Sequence, residues 1–509
     1  MKKILPAFML LAATSAMAQK NEDAGKFAAT ITEKGLKEKL SVIASAEMEG
    51  RETATPGQKK AAAYIENWFK KLGLKPGNGT SYQQVYPVYQ DELTDKKLSV
   101  NGKQFVWDND YSFGVQSAPA TEVSFSNVVF AGYGIIDSAA KVNDYENLDV
   151  KGKLVVVLEG MPQGYTPTPI TGRRGRFGGP GTAFGKTSAA RLKGAAGILL
   201  ISKSFPHKEP SDLKGNMYLK RTTAPVAFIS ANISEEVANA LVGASVNTAA
   251  KGSYTTDFKM SAVKKTNDLE SSNVMGLMEG TDKKDEYVIL TGHYDHLGKK
   301  GNVIYYGADD DGSGTTSVIQ MAEAFAEAKK KGKGPRRSIL FMTVSGEEKG
   351  LWGSEYYAAH PVYPLDKTSV DLNTDMVGRI DPLYKGDSTN YVYVIGDDKL
   401  SSDLTPITDS INNAAGKKLE LDRRYNDLSD PNQFYYRSDH FNFAKNGVPI
   451  IFYFDGVHAD YHQPTDTVDK INFDLMEKRV RFIFTTAWVM ANRDNMLKRD
   501  IPLTLPSRG

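Results

Sequence analysis

The chain has 509 residues, with 63 basic and 61 acidic side chains for a formal charge of +2, seven histidines and no cysteine. Such a balanced charge offers no electrostatic basis for gripping nucleic acid or an anionic membrane. Without cysteine there are neither disulfides nor thiolate ligands, so any metal must be held by imidazole and carboxylate. No stretch approaches the roughly 20 apolar residues of a membrane span, and the length exceeds what one core organises, so two domains are expected.

The chain opens with Lys2-Lys3, an apolar run from Ile4 to about Ala13, and the small-x-small signal Ala16-Met17-Ala18. These read as a secretory signal peptide over residues 1–18, leaving a mature protein exported to the periplasm or beyond. Residues 19–116 are assigned to the N-terminal part of the main domain. There Ala61, Ile65, Trp68, Phe69 and Leu72 recur at helical spacing and predict a helix from Gly57 to Leu72, stopped by Gly73.

From 117 to 258 the texture changes. Short apolar strands at Val128 to Ala131, Leu154 to Leu158, Ile198 to Ile201 and Val226 to Ile229 alternate with glycine turns and short helical stretches. The segments Tyr145-Glu-Asn-Leu-Asp-Val-Lys-Gly-Lys153-Leu-Val-Val-Val157 and Lys193-Gly-Ala-Ala-Gly-Ile198 resemble a protease-associated domain. Residues 117–258 are therefore expected to form a small β-rich insertion that shapes access to the main domain. Within it, Pro180 to Thr187 nearly spells a phosphate-binding loop. Proline occupies the first glycine position and no buried strand runs into it, so nucleotide binding is set aside. Arg173, Arg174 and Arg176 lie in a glycine-rich basic loop, read as solvated surface, with the alternative that one of them holds substrate.

Residues 259–509 alternate strand and helix. Strands are predicted at Asn273 to Met278, Tyr287 to Thr291, Ser338 to Val344, Val370 to Asn373, Tyr391 to Ile395 and Pro449 to Phe454, and helices at Thr315 to Lys330 and Phe473 to Ala491. That order argues for an α/β domain with a mostly parallel central sheet flanked by helices, whose ligands bind beyond the carboxyl ends of the strands.

The polar clusters fall there. They run Gly292-His293-Tyr-Asp295-His296, Gly307-Ala-Asp309-Asp310-Asp311-Gly-Ser-Gly314, Ser345-Gly-Glu347-Glu348, Asp375-Met376, and Asp460-Tyr461-His462-Gln-Pro-Thr-Asp466. Two imidazoles and at least three carboxylates are the inventory of a two-metal hydrolytic site, in which one carboxylate bridges and each ion takes terminal ligands. His293 and Asp295 project to one face if the strand persists, so Asp295 is a candidate to orient His293. Spacing does not choose among Asp309, Asp310 and Asp311. Glu347 and Glu348 diverge as neighbours on extended chain, so one can bind metal while the other acts as base.

Taken together, the five clusters, the run Gly346-Glu-Glu-Lys-Gly-Leu-Trp-Gly-Ser354, and upstream Met48-Glu-Gly-Arg-Glu-Thr-Ala-Thr-Pro-Gly57, resemble the ordered motif set of the M28 family of zinc metallopeptidases. The resemblance implies a zinc-exopeptidase fold of the phosphorylase/hydrolase-like type and two Zn²⁺ ions. It implies that His293 and Asp375 bind one ion, that Glu348 and His462 bind the other, and that Asp310 bridges. Glu347 becomes the general base, Asp295 orients His293, and Tyr461 stabilises the oxyanion, with Tyr435 and Tyr436 as alternatives. His296, His440 and His458 stand outside that ligand pattern and are expected in supporting or surface roles. Ser438-Asp439-His440 is not read as a nucleophilic triad, because consecutive residues rarely converge on one point. The implied activity is that of an exported aminopeptidase acting on peptides. A carboxypeptidase or dipeptidase of the same fold, a one-zinc glutaminyl cyclase and a catalytically silent binding protein are the alternatives.

Overall fold

A computed structural model describes residues 23–168, 178–219, 228–416 and 418–504. The expected signal peptide and Arg173, Arg174 and Arg176 lie outside the described residues. The chain divides into two compact units, one made of residues 1–87 and 270–509 and the other of Val88–Leu269.

The first unit is built on a sheet whose strands are, in chain order, β1 (Gly252–Met278, by its C-terminal part), β2 (Lys283–His293), β3 (Arg337–Val344), β4 (Thr368–Thr374), β5 (Tyr391–Ile395), β6 (Glu420–Asp422) and β7 (Ile450–Phe454). Across the sheet they lie in the order β6-β5-β7-β4-β2-β3-β1. β3, β2, β4 and β7 are mutually parallel, while β1 and β5 join antiparallel to this core. The fold is thus α/β with a mostly parallel central sheet, as the alternation of patterns predicts. Every residue of β3, β4 and β7 is buried, the signature of strands covered on both faces.

Helices α1 (Glu33–Ile43), α2 (Pro56–Lys71), α3 (Gly314–Lys330), α4 (Leu404–Ala414) and α5 (Phe473–Asn492) flank the sheet. One face carries a core that includes Leu40, Ile65, Phe325, Ile339, Leu372, Ile483 and Trp488; the other carries Ile289, Leu340, Met342, Tyr357, Tyr393 and Phe452. Each such side chain contributes about 1.5 to 3 kcal/mol on full burial. α1 begins under a Thr32 cap whose hydroxyl accepts from the Gly35 amide, and α5 under an Asn472 cap that accepts from Leu475.

The second unit contains the whole 117–258 segment and adds to it chain from either side, because the long strands Gln83–Val100 and Gly252–Met278 carry the ladder beyond those limits. Its strands Val123–Phe130, Leu154–Leu158, Gly197–Ile201 and Ile229–Ile233 form a parallel run. The strand expected at Val226 to Ile229 is displaced, beginning at Ile229, with residues 226 and 227 outside the described set. The residues that mimic a phosphate loop enter a helix, Ala183–Leu192, and Lys186 donates to the carbonyls of Leu158 and Gly160 at 2.6 Å each. Its ammonium is thereby occupied within the fold.

Candidate metal centre

The four parallel strands all deliver polar residues at their carboxyl ends. β2 ends on His293, β3 leads within three residues to Glu347, β4 leads directly to Asp375, and β7 leads through Asp455 to the loop bearing His458, Tyr461 and His462. The aspartate triplet precedes α3 and comes in from the side.

Its three members have three different sets of partners. Asp309 Oδ1 accepts the Gly378 amide at 2.7 Å and its Oδ2 lies 3.1 Å from His458 Nε2. Asp311 accepts the amides of His293 at 3.0 Å, Gly314 at 2.8 Å and Met376 at 3.0 Å, tying three ligand-bearing segments together. Asp310 alone faces the other donors. Its Oδ1 is 3.2 Å from His293 Nε2, and its Oδ2 is 3.1 Å from His462 Nε2.

Two donor groups therefore share Asp310. In one, His293, Asp310 and Asp375 converge, with His293 Nε2 3.7 Å from Asp375 Oδ1. In the other, His296, Asp310 and Glu348 converge, and His462 Nε2 stands 3.3 Å from Glu348 Oε2. His296, which the motif pattern leaves aside, lies with Nδ1 2.8 Å from Glu348 Oε1. Its signal in the sequence is its place three residues after His293, just past the end of the same strand. Glu347 Oε2 is 3.9 Å from His293 Nε2.

Around these groups lies a supporting layer. His293 Nδ1 meets the backbone carbonyl of Asp295 at 3.0 Å and the carboxylate at 3.6 Å. The Asp295 carboxylate accepts the Thr53 hydroxyl at 2.7 Å and the Glu347 amide at 3.2 Å. Ser438 donates to Asp375 Oδ2 at 2.6 Å. Asp466 Oδ2 accepts the amides of Asp309 and Asp310 at 3.0 and 3.2 Å. Arg51 is fully buried and donates to the carbonyls of Tyr294, Ile43, Tyr306 and Gly307 at 2.7 to 2.9 Å. The partners of Arg51 and Thr53 leave no local pattern in the sequence, because both contacts span more than 240 positions.

The electrostatics match a cation site. Burial opposes charge on His293, yet Asp375 and Glu347 beside it hold its pKa well above the ordinary value. Burial likewise works against His462, and hydrogen bonds to Asp310 and Glu348 carry it up to about 10. Glu348 sits down at about 2 despite burial and Asp310, because of its bonds to His296 and His462. Glu347 goes the other way: burial, then the charges of Glu348, Asp375 and Asp439, push it well above the usual carboxylate range against the pull of His293. Among the described residues, the buried His296 Nε2 has no hydrogen-bond partner, and the buried Asp310 Oδ2, Glu348 Oε1 and His296 Nδ1 have only one another and His462 Nε2 close by. Buried polar atoms in that state call for a ligand, and imidazole plus carboxylate is the donor set suited to zinc.

Asp310, Glu347, Asp375, Met376, Phe434, Arg437, Phe452, Phe454, Val457 and Tyr461 line a cavity of about 30 Å³. Tyr461 is in that wall, whereas Tyr435 is 1 % exposed and packed in the core. A larger hollow of about 560 Å³ opens beside α4 and α5, walled by residues such as Ile407, Ile411, Leu419 and Phe482, and none of the donor residues lines it. Ser438, Asp439 and His440 diverge. Ser438 turns to Asp375, Asp439 to Ser354, and His440 Nε2 to the Tyr435 carbonyl at 2.8 Å.

Residues 273–487 match the profile of peptidase family M28. A probable zinc metalloprotease of Pyrenophora tritici-repentis is 27 % identical over 270 residues, covering 44 % of this chain and 52 % of the relative. The chain thus spans about half the length of that curated relative. Among solved structures, an aminopeptidase from Aneurinibacillus sp. strain AM-1 aligns with a TM-score of 0.53 at 19 % identity, over 96 % of this chain and all of that one. A zinc aminopeptidase from Bacillus subtilis aligns with a TM-score of 0.52 at 19 % identity, over 93 % of this chain and 99 % of that one. The chain shares their fold.

Proposed function

We propose that the protein is an exported dizinc exopeptidase, an aminopeptidase that hydrolyses N-terminal peptide bonds. The observation that carries the reading is the pair of donor groups sharing Asp310, with buried ligand atoms that have no other partner. His293 and Asp375 would hold one ion, Glu348 and His462 the other, and Asp310 both; His296 adds an imidazole to the second group. Zinc, when bound, supplies Lewis-acid polarisation of the scissile carbonyl and of water.

The chain's own groups do the rest. Glu347 lines the cavity in a buried, acid-rich setting that raises its proton affinity. It takes a proton from the attacking water and delivers it to the leaving amine, which is general acid–base catalysis by a carboxylate tuned toward neutrality. Asp295, fastened by Thr53 and the Glu347 amide, keeps the His293 ring in place through its carbonyl. The Tyr461 hydroxyl donates to the developing oxyanion. The segment 117–258 is read as a protease-associated insertion, and residues 1–18 as a signal peptide whose removal leaves Gln19 at the N-terminus.

The test is release of amine from aminoacyl anilides. Chelation abolishes it, zinc restores it, and N-acetylated substrates resist. Glu347→Gln keeps zinc in stoichiometric amount while kcat falls by about 10²- to 10⁴-fold. A fully active Glu347→Gln protein would remove the mechanism, and cleavage of N-blocked but not C-blocked peptides would replace the aminopeptidase by a carboxypeptidase.

A further inference from the structure

The cavity wall contains one cation among several carboxylates. Arg437 is exposed and, among the described residues, has no carboxylate within 4.0 Å, although Asp310, Glu347 and Asp375 line the same cavity. Two contacts set its position instead. The guanidinium carbon lies 5.0 Å over the Phe434 ring, and Nη2 donates to the Tyr461 hydroxyl at 3.2 Å.

The chemistry of this second contact fixes a direction. A guanidinium has donors only, so the Tyr461 oxygen is the acceptor, and the single phenolic proton has to point elsewhere. The Tyr461 ring cannot swing freely to follow it, because it stacks on the His462 ring at 3.9 Å and 22°. With the ring held by a residue of the donor set and the oxygen engaged from the Arg437 side, the proton is left facing the cavity. A positive charge beside the hydroxyl oxygen also makes its O–H a stronger donor.

We propose that Arg437 is a positioning residue: it orients the Tyr461 hydroxyl so that its proton meets the oxyanion of the tetrahedral adduct. This rests on the reaction proposed above. It assigns to Arg437 a part in catalysis exerted wholly through Tyr461, and it distinguishes Tyr461 from Tyr435 and Tyr436, whose hydroxyls have no hydrogen-bond partner among the described residues. The rival task for an unpaired arginine in a peptidase cleft is to grip a substrate carboxylate. The two make opposite kinetic predictions, since a group acting only on the transition state lowers kcat, whereas one that binds substrate uniformly raises KM.

The experiment is a double-mutant cycle on the zinc-loaded full chain with Arg437→Met, Tyr461→Phe and the pair, plus Arg437→Lys. The readouts are kcat and KM for an aminoacyl anilide, zinc content, and calorimetric affinity for an aminoalkylphosphonate, whose tetrahedral anion mimics the adduct. Each single variant should lose about 10- to 100-fold in kcat at nearly unchanged KM and full zinc, the scale of one oxyanion donor or somewhat less. The double variant should be no worse than Tyr461→Phe, phosphonate affinity should fall in step, and Arg437→Lys should recover part of the loss. Losses that multiply in the double variant overturn the proposal. So does Arg437→Met acting on KM alone, which would make the guanidinium a substrate anchor. If the wild type cleaves no peptide, the functional reading fails by itself. The phosphonate arm then decides separately whether the two residues are coupled, and additive losses, or no binding by the wild type, end the proposal there too.

Discussion

Arg51 shows how much of the centre is held by a side chain that is not itself a donor to the metal. Its guanidinium binds four backbone carbonyls, two of them next to His293 and the aspartate triplet, while lying inside the field of Asp295, Asp310, Asp311 and Asp466. Burial lowers its pKa and those carboxylates oppose the loss of charge. Replacing it by methionine leaves the carbonyls unpaired and the acids uncompensated, which should cost about 3 to 5 kcal/mol. Arg51→Lys should recover little, because an ammonium cannot span the fork. Denaturant unfolding of the chelated protein measures both, separating stability from metal binding.

His440 provides a pH effect of definite sign. Burial pushes its pKa down to about 3, with the bond to the Tyr435 carbonyl opposing only in part. The folded pKa therefore lies below the ordinary value of about 6.5 in the unfolded chain. Between those values the unfolded state binds the extra proton, so stability rises with pH across that window and is lost as pH falls through it. His440→Phe, which stays apolar against Phe452, should flatten this dependence. Unfolding free energies at pH 7 and pH 5 should differ less in the variant than in the parent by up to about 1.4 kcal/mol per pH unit.

At the scale of elements, the start of α3 is pressed into the ends of its neighbours. A Cβ on Gly314 would stand 2.1 Å from the Thr374 carbonyl oxygen and 2.4 Å from the Asp311 carboxylate. Gly314→Ala therefore has to push either β4 or the carboxylate that fastens His293 and Met376. The expected result is a lower melting temperature together with a weaker hold on zinc, read by competition with a chromophoric chelator. An alanine at the exposed Gly332, past the C-terminus of α3, meets nothing within 4 Å. Its positive φ of 75° makes it a control for strain without collision.

The same elements show what the sequence could and could not reveal. β3 and β7 are legible because every residue is buried and an apolar run results. α5 is legible because it is twenty residues long and its buried positions recur at helical spacing. Gln83–Val100 is not, since Pro87 interrupts it and the alternation of buried and exposed residues is lost beyond Val88, and α4 carries Pro406 in its first turn. In the centre, the donors announce themselves by residue type and order. What holds them is silent in the sequence: Thr53 on Asp295, Asp466 under the triplet amides, and Asp311 across three segments are long-range pairings of common polar residues.

For the molecule as a whole, the donor groups all belong to the first unit, residues 1–87 and 270–509. Metal that binds only the folded state stabilises that state by mass action. Chelation should therefore lower the calorimetric transition of the first unit and leave that of Val88–Leu269 unmoved, and added zinc should reverse the shift. An equal shift of both transitions would mean that the two units unfold together.

Asp310 faces imidazoles that arrive from β2 and from the loop after β7, the first and last of the parallel strands in chain order. A chain made from its N-terminus therefore owns the shared carboxylate long before it owns His462. Until β7 is laid against β4, the group of His296, Asp310 and Glu348 lacks only His462, so the donor set is completed last by the imidazole that the final strand delivers.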